Sequence, residues 1–281
     1  MSALIDDSTV DQPTEVRAVL NYTRADGAKP VNYTFDPPAG VPRNSGEVDS
    51  RTVTIRNARH VRDLTLDASG FETIWHRSTL TDWASFQDGE RVRAIDYPEV
   101  EAALKSHTGA DKVVIFDHTL RDSTIELGGA ALREPVRRVH DDQTFGSAPR
   151  RVARHLTPDE AAWRLERRFA IVNFWRPVGG PVLRTPLAMC DGRSIESSDL
   201  IPSDLVYADW VGETYAIAFN PRHRWYWYPN QTPSEATLLK IFDSAVDGRA
   251  RLTAHTAFDD PTSAPDAPPR HSIEIRSILF W

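Results

Sequence analysis

The sequence predicts an all-β core with flanking helices, a β-rich α+β fold built as a sandwich or a barrel. Between residues 112 and 228, seven short β-prone segments are separated by Pro, Gly, Asn and Asp. This spacing is typical of sandwiches and barrels and not of βαβ units. No internal repeat, low-complexity tract or shift of composition divides the 281 residues, so one large domain is expected.

The elements follow in order along the chain. Residues 19–71 form a β-rich lead-in with turn chemistry between short strands. Helices are predicted at 97–107, behind Pro98, and at 157–169, which opens with Thr-Pro-Asp-Glu. Core strands are predicted at 112–116, 136–142, 170–175, 186–190, 204–207, 215–220 and 224–228. The N-cap pattern Thr-Pro-Ser-Glu predicts a third helix at 232–244, and strands at 251–258 and 271–281 end the chain.

Residues 1–17 carry few apolar groups, so we expect a flexible tail before a single domain over residues 18–281. The start of the chain lacks signal-peptide features, and no apolar run approaches the ~20 residues of a membrane span. The 33 Lys plus Arg and 40 Asp plus Glu are mixed along the chain, which argues against a nucleic-acid surface. The single cysteine, Cys190, excludes an internal disulfide. We therefore expect a cytoplasmic protein without membrane or nucleic-acid partners.

Three residues carry the candidate metal chemistry. A non-haem iron site needs two neutral imidazoles and one carboxylate on one face of the metal. In the run His140-Asp141-Asp142, a strand directs His140 and Asp142 to one side and Asp141 to the other. A His-x-Asp motif is expected by chance in a chain of this composition, so its position matters. It lies early in the β-rich half, and His255 lies in the penultimate predicted strand.

The last predicted strand carries a row of polar side chains. Alternation places Arg270, Ser272, Glu274 and Arg276 on one face, which either meets water or lines a polar cavity. The cavity interpretation is favoured for Arg270 and Ser272 because they follow the strand of His255. Arg276 could equally form an internal ion pair.

Several segments resemble one enzyme family in order and spacing. They are Val139-His140-Asp141-Asp142-Gln143, Asn173-Phe174-Trp175-Arg176-Pro177, Gly212-Glu213-Thr214-Tyr215, His223-Arg224-Trp225-Tyr226, Thr253-Ala254-His255-Thr256-Ala257-Phe258 and Pro269-Arg270-His271-Ser272-Ile273-Glu274-Ile275-Arg276. Together they resemble the family of the fungal gibberellin desaturase, the AsaB-like hydroxylases and the CmcJ component of cephamycin biosynthesis. The resemblance runs from about residue 20 to residue 281. His271 departs from it, because an acidic residue is expected there.

This resemblance implies a double-stranded β-helix (jelly roll, cupin-like) and an oxygenase that uses Fe(II), 2-oxoglutarate and O2. It implies that His140, Asp142 and His255 bind the metal at the catalytic centre, and that Arg270 and Ser272 hold the far carboxylate of 2-oxoglutarate through paired charge-assisted hydrogen bonds. The expected reaction is hydroxylation, desaturation or cyclisation of a small secondary metabolite after hydrogen-atom abstraction. Because a carboxylate fills the third ligand position, halogenation is disfavoured.

Other residues are candidate ligand contacts, but each could instead have a purely structural role. Tyr215 and Arg276 are candidate cosubstrate contacts, although a buried Tyr also satisfies backbone groups. Candidate substrate contacts are Asn173, Arg176, Trp225 and Trp227. Core packing is the default for the two tryptophans, and solvation is the default for Arg176. Five other histidines are expected at the surface: His60, His76, His107, His155 and His223.

Two other functions stay open at this point. The chain could be a metal-dependent cupin-like enzyme that does not use 2-oxoglutarate, which would release no succinate. It could instead be a non-catalytic β-barrel that presents substrate to a companion enzyme, and a homo-oligomer is also possible. If a companion enzyme is needed, the purified chain alone would be inactive with iron and 2-oxoglutarate.

Overall fold

The computed structural model describes residues 12–124 and 132–281. Most of the predicted tail at residues 1–17 lies outside this range. The first strand begins at Glu15, three residues before the predicted start of the domain. None of the helices in the described ranges is long and apolar enough to cross a membrane.

Fifteen strands in the described residues form two sheets, one of nine strands and one of six. The strands are β1 Glu15–Thr23, β2 Val31–Tyr33, β3 Val48–Asn57, β4 Phe71–Trp75, β5 Lys112–Asp122, β6 Leu132–Arg133, β7 His140–Asp141, β8 Phe169–Pro177, β9 Leu187–Cys190, β10 Leu200–Val206, β11 Val211–Ile217, β12 Trp225–Trp227, β13 Glu235–Asp243, β14 His255–Ala257 and β15 His271–Phe280. The large sheet has the order β1-β3-β12-β9-β14-β7-β11-β10-β2, and the small sheet has the order β4-β13-β8-β15-β5-β6.

The helices are short and lie between these strands. They are α1 Trp83–Phe86, α2 Gly89–Arg91, α3 Tyr97–Thr108, α4 Ser147–His155 and α5 Pro158–Leu165. A π-helical turn, Val92–Asp96, joins α2 to α3 without a break. The left-handed Gly109 ends α3, as is common where a helix stops.

The two sheets face each other across an apolar core. Met189 and Tyr226 of the large sheet meet Ile171, Trp175 and Leu239 of the small sheet there. Burial of such side chains is the main favourable contribution to folding. Strands drawn from distant parts of the chain alternate within each sheet, which confirms the predicted double-stranded β-helix.

The two faces of strand β8 pack in two different cores. All nine of its residues are buried, because its second face is also covered. Asn173 shares the inner face with Trp175, whereas Phe174 packs with α3 residues such as Leu104 on the outer side of the small sheet. Consecutive side chains of β8 therefore lie in different environments, on the two faces of the small sheet.

The predicted helix at 232–244 is wrong. Glu235 accepts hydrogen bonds from the backbone N–H and hydroxyl of Thr232, so the N-cap pattern closes a turn instead. Strand β13 follows it and pairs with both β4 and β8. Because β13 lies inside the sheet, its apolar residues are buried on both faces and show no simple alternation.

The other predicted elements are found with altered bounds. The helices at 97–107 and 157–169 correspond to α3 and α5, and residue 169 already belongs to β8. The predicted strands at 136–142 and 251–258 shrink to β7 and β14, which have two and three residues. These two short strands carry the two candidate histidine ligands, and Asp142 follows β7 directly.

Candidate active site

The structure brings the three candidate metal ligands together. His140 in β7 is the register partner of His255 in β14, and Asp142 follows β7 directly. The two imidazole ring centroids lie 4.4 Å apart, and Nε2 of His140 lies 3.4 Å from Oδ1 of Asp142. Each residue offers one ligand atom within 4.8 Å of the other two. One short backbone pairing therefore positions both imidazoles.

The protonation of this group suits metal binding. Nδ1 of His140 lies 2.7 Å from the carbonyl oxygen of Arg138. A carbonyl oxygen only accepts, so Nδ1 carries the proton and Nε2 keeps a free lone pair. Burial lowers the pKa of His255 to about 4. His255 is therefore neutral near pH 7, as a ligand must be.

The neighbouring Asp141 points away from this group. It pairs with Tyr215 on β11 and is fully buried, and its carboxylate oxygens have no hydrogen-bond partner in the described residues. Burial, and then the charge of Asp142, raises its pKa well above the usual range. Asp142, and not Asp141, therefore lies with the two imidazoles.

Asp142 is held by charge and hydrogen bonds. Asn173 donates through Nδ2 to its Oδ2 over 2.7 Å, and Nε of Arg276 lies 3.3 Å from the same oxygen. Burial acts to raise the pKa of Asp142, but the charge of Arg276 holds it well below the usual range. The site thus presents one ionised carboxylate beside two imidazoles.

Arg270 supplies the second part of the site. It lines the same pocket as His140 and His255, together with Arg121, Trp175 and Glu274, and is 3% exposed. Its Nη1 donates to the carbonyl oxygen of Thr185 over 2.7 Å. Within the described residues, Arg270 has no carboxylate within salt-bridge distance.

Two buried polar atoms, one of Arg270 and one of Ser272, are orphaned here. In the described part of the chain, its Nε and the buried Oγ of Ser272 have no hydrogen-bond partner. Burial and the charge of Arg121 lower the pKa of Arg270 to about 9. A buried guanidinium without a counter-ion is unfavourable unless a ligand supplies the anion. The pocket therefore offers a carboxylate-binding group next to the candidate metal ligands.

This donor set fits the implied cofactors. Two neutral imidazoles and one carboxylate are the facial set that binds non-haem Fe(II) with positions left open. The unpaired guanidinium of Arg270 suits the far carboxylate of 2-oxoglutarate, because planar guanidinium and carboxylate groups pair through two parallel hydrogen bonds.

The structure does not bring Tyr215 to this pocket. His140 pairs with Ala216 on β11, so Tyr215 projects from the opposite face beside Asp141. Its hydroxyl accepts a hydrogen bond from the backbone N–H of Phe145, and its ring packs in the outer cluster of the large sheet. Arg276 and Asn173 do reach the site, but their contacts are with Asp142 and Glu274.

Three other candidates also face away. Arg176 lies on the outer side of the small sheet, where it pairs with Asp96 and stacks near Phe86. Trp225 and Trp227 project to the outer cluster, while Tyr226 between them faces the core. Successive side chains of a strand point to opposite faces, so the inward position of Tyr226 turns both tryptophans outward.

Trp227 also lines a separate cavity of about 360 Å³. This cavity lies between the loops before β9 and after β14 and includes Pro186, Asn230 and Asp260. None of the candidate metal ligands lines it.

The expectation of surface histidines fails for two residues. His76 is 6% exposed, and the His223 side chain is buried against Asp199. His76 approaches Asp96 and Glu99 closely enough to suggest a second metal group. Arg176 already supplies the positive charge beside Asp96, so a metal ion there would meet a resident cation.

Several residues that line the pocket were not predicted as site residues from the sequence. Arg121, Trp175 and Glu274 line it beside the metal group. Glu274 lies between Ser272 and Arg276 on the same strand face, so alternation was an available signal. For Arg121 and Trp175, the register of β5 and β8 against β15 is needed.

Comparison with known families and proteins gives a consistent result. The family described as "Oxidoreductase/YMDC permease-like domain" matches residues 20–280. The hydroxylase/desaturase CTB9 of Cercospora beticola is 35% identical, covering 89% of this chain and 85% of its own length. The hydroxylase/desaturase efuI of Hormonema carpetanum is 32% identical, covering 98% of this chain and 97% of its own.

Relatives with named cosubstrates are similar over most of the chain. The Fe(II)/2-oxoglutarate-dependent dioxygenase nvfI of Aspergillus novofumigatus is 34% identical, covering 88% of this chain and 90% of its own length. A solved structure of the iron and alpha-ketoglutarate-dependent endoperoxidase NvfI superposes with a TM-score of 0.86 at 29% identity, covering 96% of this chain and 99% of that one. The resemblance read from the sequence is confirmed.

Proposed function

Because this chain belongs to the Oxidoreductase/YMDC permease-like domain family, and its relatives are hydroxylases, desaturases and dioxygenases, we propose that His140, Asp142 and His255 hold its catalytic iron. The enzyme is an Fe(II)/2-oxoglutarate-dependent dioxygenase that acts on a small molecule. Iron, 2-oxoglutarate and O2 together supply the oxidising power for hydrogen-atom abstraction.

We assign the protein's own contributions as follows. His140 and His255 offer neutral nitrogen ligands, and Asp142 offers one ionised oxygen. Arg270 pairs with the far carboxylate of 2-oxoglutarate, and the free hydroxyl of Ser272 donates beside it. Trp175 lies under the guanidinium, whose central carbon is 5.5 Å from the ring centroid, and thereby fixes its plane.

A single observation carries the cosubstrate assignment. Arg270 is buried without a carboxylate partner in the described residues, whereas Arg121 and Arg276 of the same region are both paired with Glu274. The unpaired cation, Arg270, lines the same pocket as His140 and His255. A dicarboxylate reaching from the metal to Arg270 would satisfy it.

The test separates metal binding from cosubstrate binding. We expect anaerobic addition of Fe(II) and 2-oxoglutarate to give the weak visible charge-transfer band of the chelate. His255→Ala should abolish the band, and Arg270→Lys should raise the 2-oxoglutarate concentration needed to form it. Arg176→Lys is the matched control, because it alters a buried arginine on the other side of the sheet. An unchanged band in His255→Ala would refute the metal assignment.

The type of product is a finer proposal. Hydroxylation, desaturation and cyclisation all begin from one hydrogen abstraction, and the relative NvfI, an endoperoxidase, adds endoperoxide formation to the range of reactions. The pocket residues Val136, Leu187 and Leu239 support an apolar substrate surface near the metal group. Product analysis with labelled O2 would distinguish these outcomes, and succinate release would exclude an enzyme that ignores 2-oxoglutarate.

Organisation and location are also proposals. We propose one catalytic domain over residues 18–281, supported by the family match to residues 20–280. A reducing cytoplasm is supported by a single cysteine, which is buried. A homo-oligomer or a companion enzyme stays a proposal, to be tested by the mass of the purified chain in solution and by its activity alone.

A further inference from the structure

We propose that Asn173 and Arg276 are positioning residues that bind one oxygen of Asp142, so that its other oxygen alone faces the metal. This inference rests on the proposed metal site and deepens it. It also gives these two residues a different role from the cosubstrate and substrate contacts expected from the sequence.

The two oxygens of Asp142 have different surroundings. Oδ2 accepts from Nδ2 of Asn173 over 2.7 Å and from Nε of Arg276 over 3.3 Å. Oδ1 lies instead toward the imidazole of His140, at 3.4 Å from its Nε2. Two donors on one oxygen oppose rotation of the carboxylate and oppose bidentate binding, because Oδ2 would have to leave both partners.

Glu274 fixes the donors themselves. Its Oε1 accepts from Nδ2 of Asn173 over 2.7 Å, and its Oε2 accepts from Nη2 of Arg276 over 3.0 Å. Both N–H groups of the Asn173 amide therefore point at carboxylates. The reverse orientation would place its carbonyl oxygen against two negative groups, so the amide has one stable orientation.

The side chain of Asn173 is arranged at a cost. It is fully buried, and its Oδ1 has no hydrogen-bond partner among the described residues. An unsatisfied buried acceptor is unfavourable, because it loses its hydrogen bonds to water and gains none in the protein. An apolar residue would avoid that cost, so this position favours the two donated hydrogen bonds over maximal stability.

The donors stand on regular structure. Asn173 of β8 and Arg276 of β15 are direct register partners in the middle of the small sheet. Asp142 belongs to the facing sheet, in the turn after the two-residue strand β7. The long strands therefore hold a ligand whose own strand is too short to fix it.

The first experiment measures metal affinity without catalysis. Mn²⁺ is titrated into the metal-free chain and followed by electron paramagnetic resonance, in which free Mn²⁺ is detected directly. We expect Asn173→Ala to raise the Kd for Mn²⁺ by about 10- to 100-fold, as for other groups that orient metal ligands. At saturating Mn²⁺, the Kd for 2-oxoglutarate should be unchanged, because Arg270 is untouched.

One control and one further variant separate a positioning role from a general loss of structure. Asn220→Ala removes another buried asparagine that donates to a carboxylate, Asp199, far from the metal group, and should leave the Kd for Mn²⁺ unchanged. Arg276→Lys keeps the positive charge near Glu274 but lacks the Nε donor, and should weaken Mn²⁺ binding. Wild-type affinity in Asn173→Ala would overturn the proposal, and wild-type affinity in Arg276→Lys would overturn the role assigned to Arg276.

Chemical rescue gives an independent test. Asp142→Gly removes the carboxylate and leaves both donors facing the vacated position, so added formate should restore Mn²⁺ binding. Formate should fail in Asp142→Gly with Asn173→Ala, and equal rescue in both variants would overturn the proposed role of Asn173. A wild-type chain that binds no Mn²⁺ would overturn the metal assignment together with this inference. Normal wild-type binding with an unaffected Asn173→Ala would overturn this inference alone.

Discussion

Glu274 determines which of three neighbouring arginines is free to bind a ligand. Its carboxylate pairs with Arg121 at 3.2 Å and with Arg276 at 3.0 Å, so each of these arginines has an anionic partner without a ligand. Arg270 on the same strand face has no such partner in the described residues. Charge distribution among these few residues, and not the number of arginines, supports Arg270 as the proposed carboxylate-binding residue.

Removing the Glu274 carboxylate should be costly to folding. We expect Glu274→Ala to lower the free energy of unfolding by about 3–5 kcal/mol, because the largely buried Arg121 loses its carboxylate partner and Arg276 loses one of its partners. Chemical denaturation of the metal-free chain measures this. Asp117→Asn is the control, since Asp117 also pairs with Arg276 but its side chain is 50% exposed. That variant should cost less than about 1 kcal/mol.

At the scale of elements, the sequence predicted what depends on local pattern. Alternation correctly separated Asp142 from Asp141, and Pro98 marked the start of α3. It could not separate Tyr215 from Ala216, because which face of β11 meets the metal group is decided by pairing with β7. The same holds for Trp225 and Tyr226 on β12. Register is a long-range property, so these faces needed the structure.

Strand β13 shows a related limit. Its Leu238, Leu239, Ile241 and Phe242 are buried on both faces, and this run of apolar residues fits a buried helix as well as a central strand. The turn at Thr232 resembles a helix start because Glu235 caps it in the same way. Only the partners β4 and β8 decide between the two structures.

A second prediction concerns the segment that leads into β14. A Cβ added to Gly192 would lie 2.5 Å from the carbonyl oxygen of Leu252, three residues before His255. We expect Gly192→Ala to displace this segment, to lower the free energy of unfolding by about 1–3 kcal/mol and to weaken Mn²⁺ binding. Gly180→Ala has open space around the new methyl and should change neither quantity. Equal Mn²⁺ affinity in the two variants would argue against this coupling.

At the scale of the whole molecule, burial of histidines makes stability depend on pH. Burial lowers the pKa of His76 below 6.5, helped by the charge of Arg176, and burial also lowers that of His223. Below pH 6.5 the unfolded chain therefore binds protons that the folded chain does not. The free energy of unfolding must fall as the pH falls through this range.

This dependence can be measured by thermal unfolding of the metal-free chain between pH 7.5 and 5. We expect a steady loss of stability, with each such histidine contributing at most about 1.4 kcal/mol per pH unit. His76→Gln should reduce the slope by removing one proton-binding group. A slope equal to that of the wild type would show that His76 is not buried as described.

The brevity of β7 and β14 has a consequence for the mechanics of the large sheet. These strands are its central members, and a single register pair, His140 with His255, joins them. An ion bound by both imidazoles would cross-link β7 and β14 through their side chains. We expect amide hydrogen exchange near residues 140 and 255 to slow markedly when Mn²⁺ is added, while the long pairing of β5 with β15 stays unchanged. The same cation would then serve in catalysis and would also stabilise the pairing of β7 with β14.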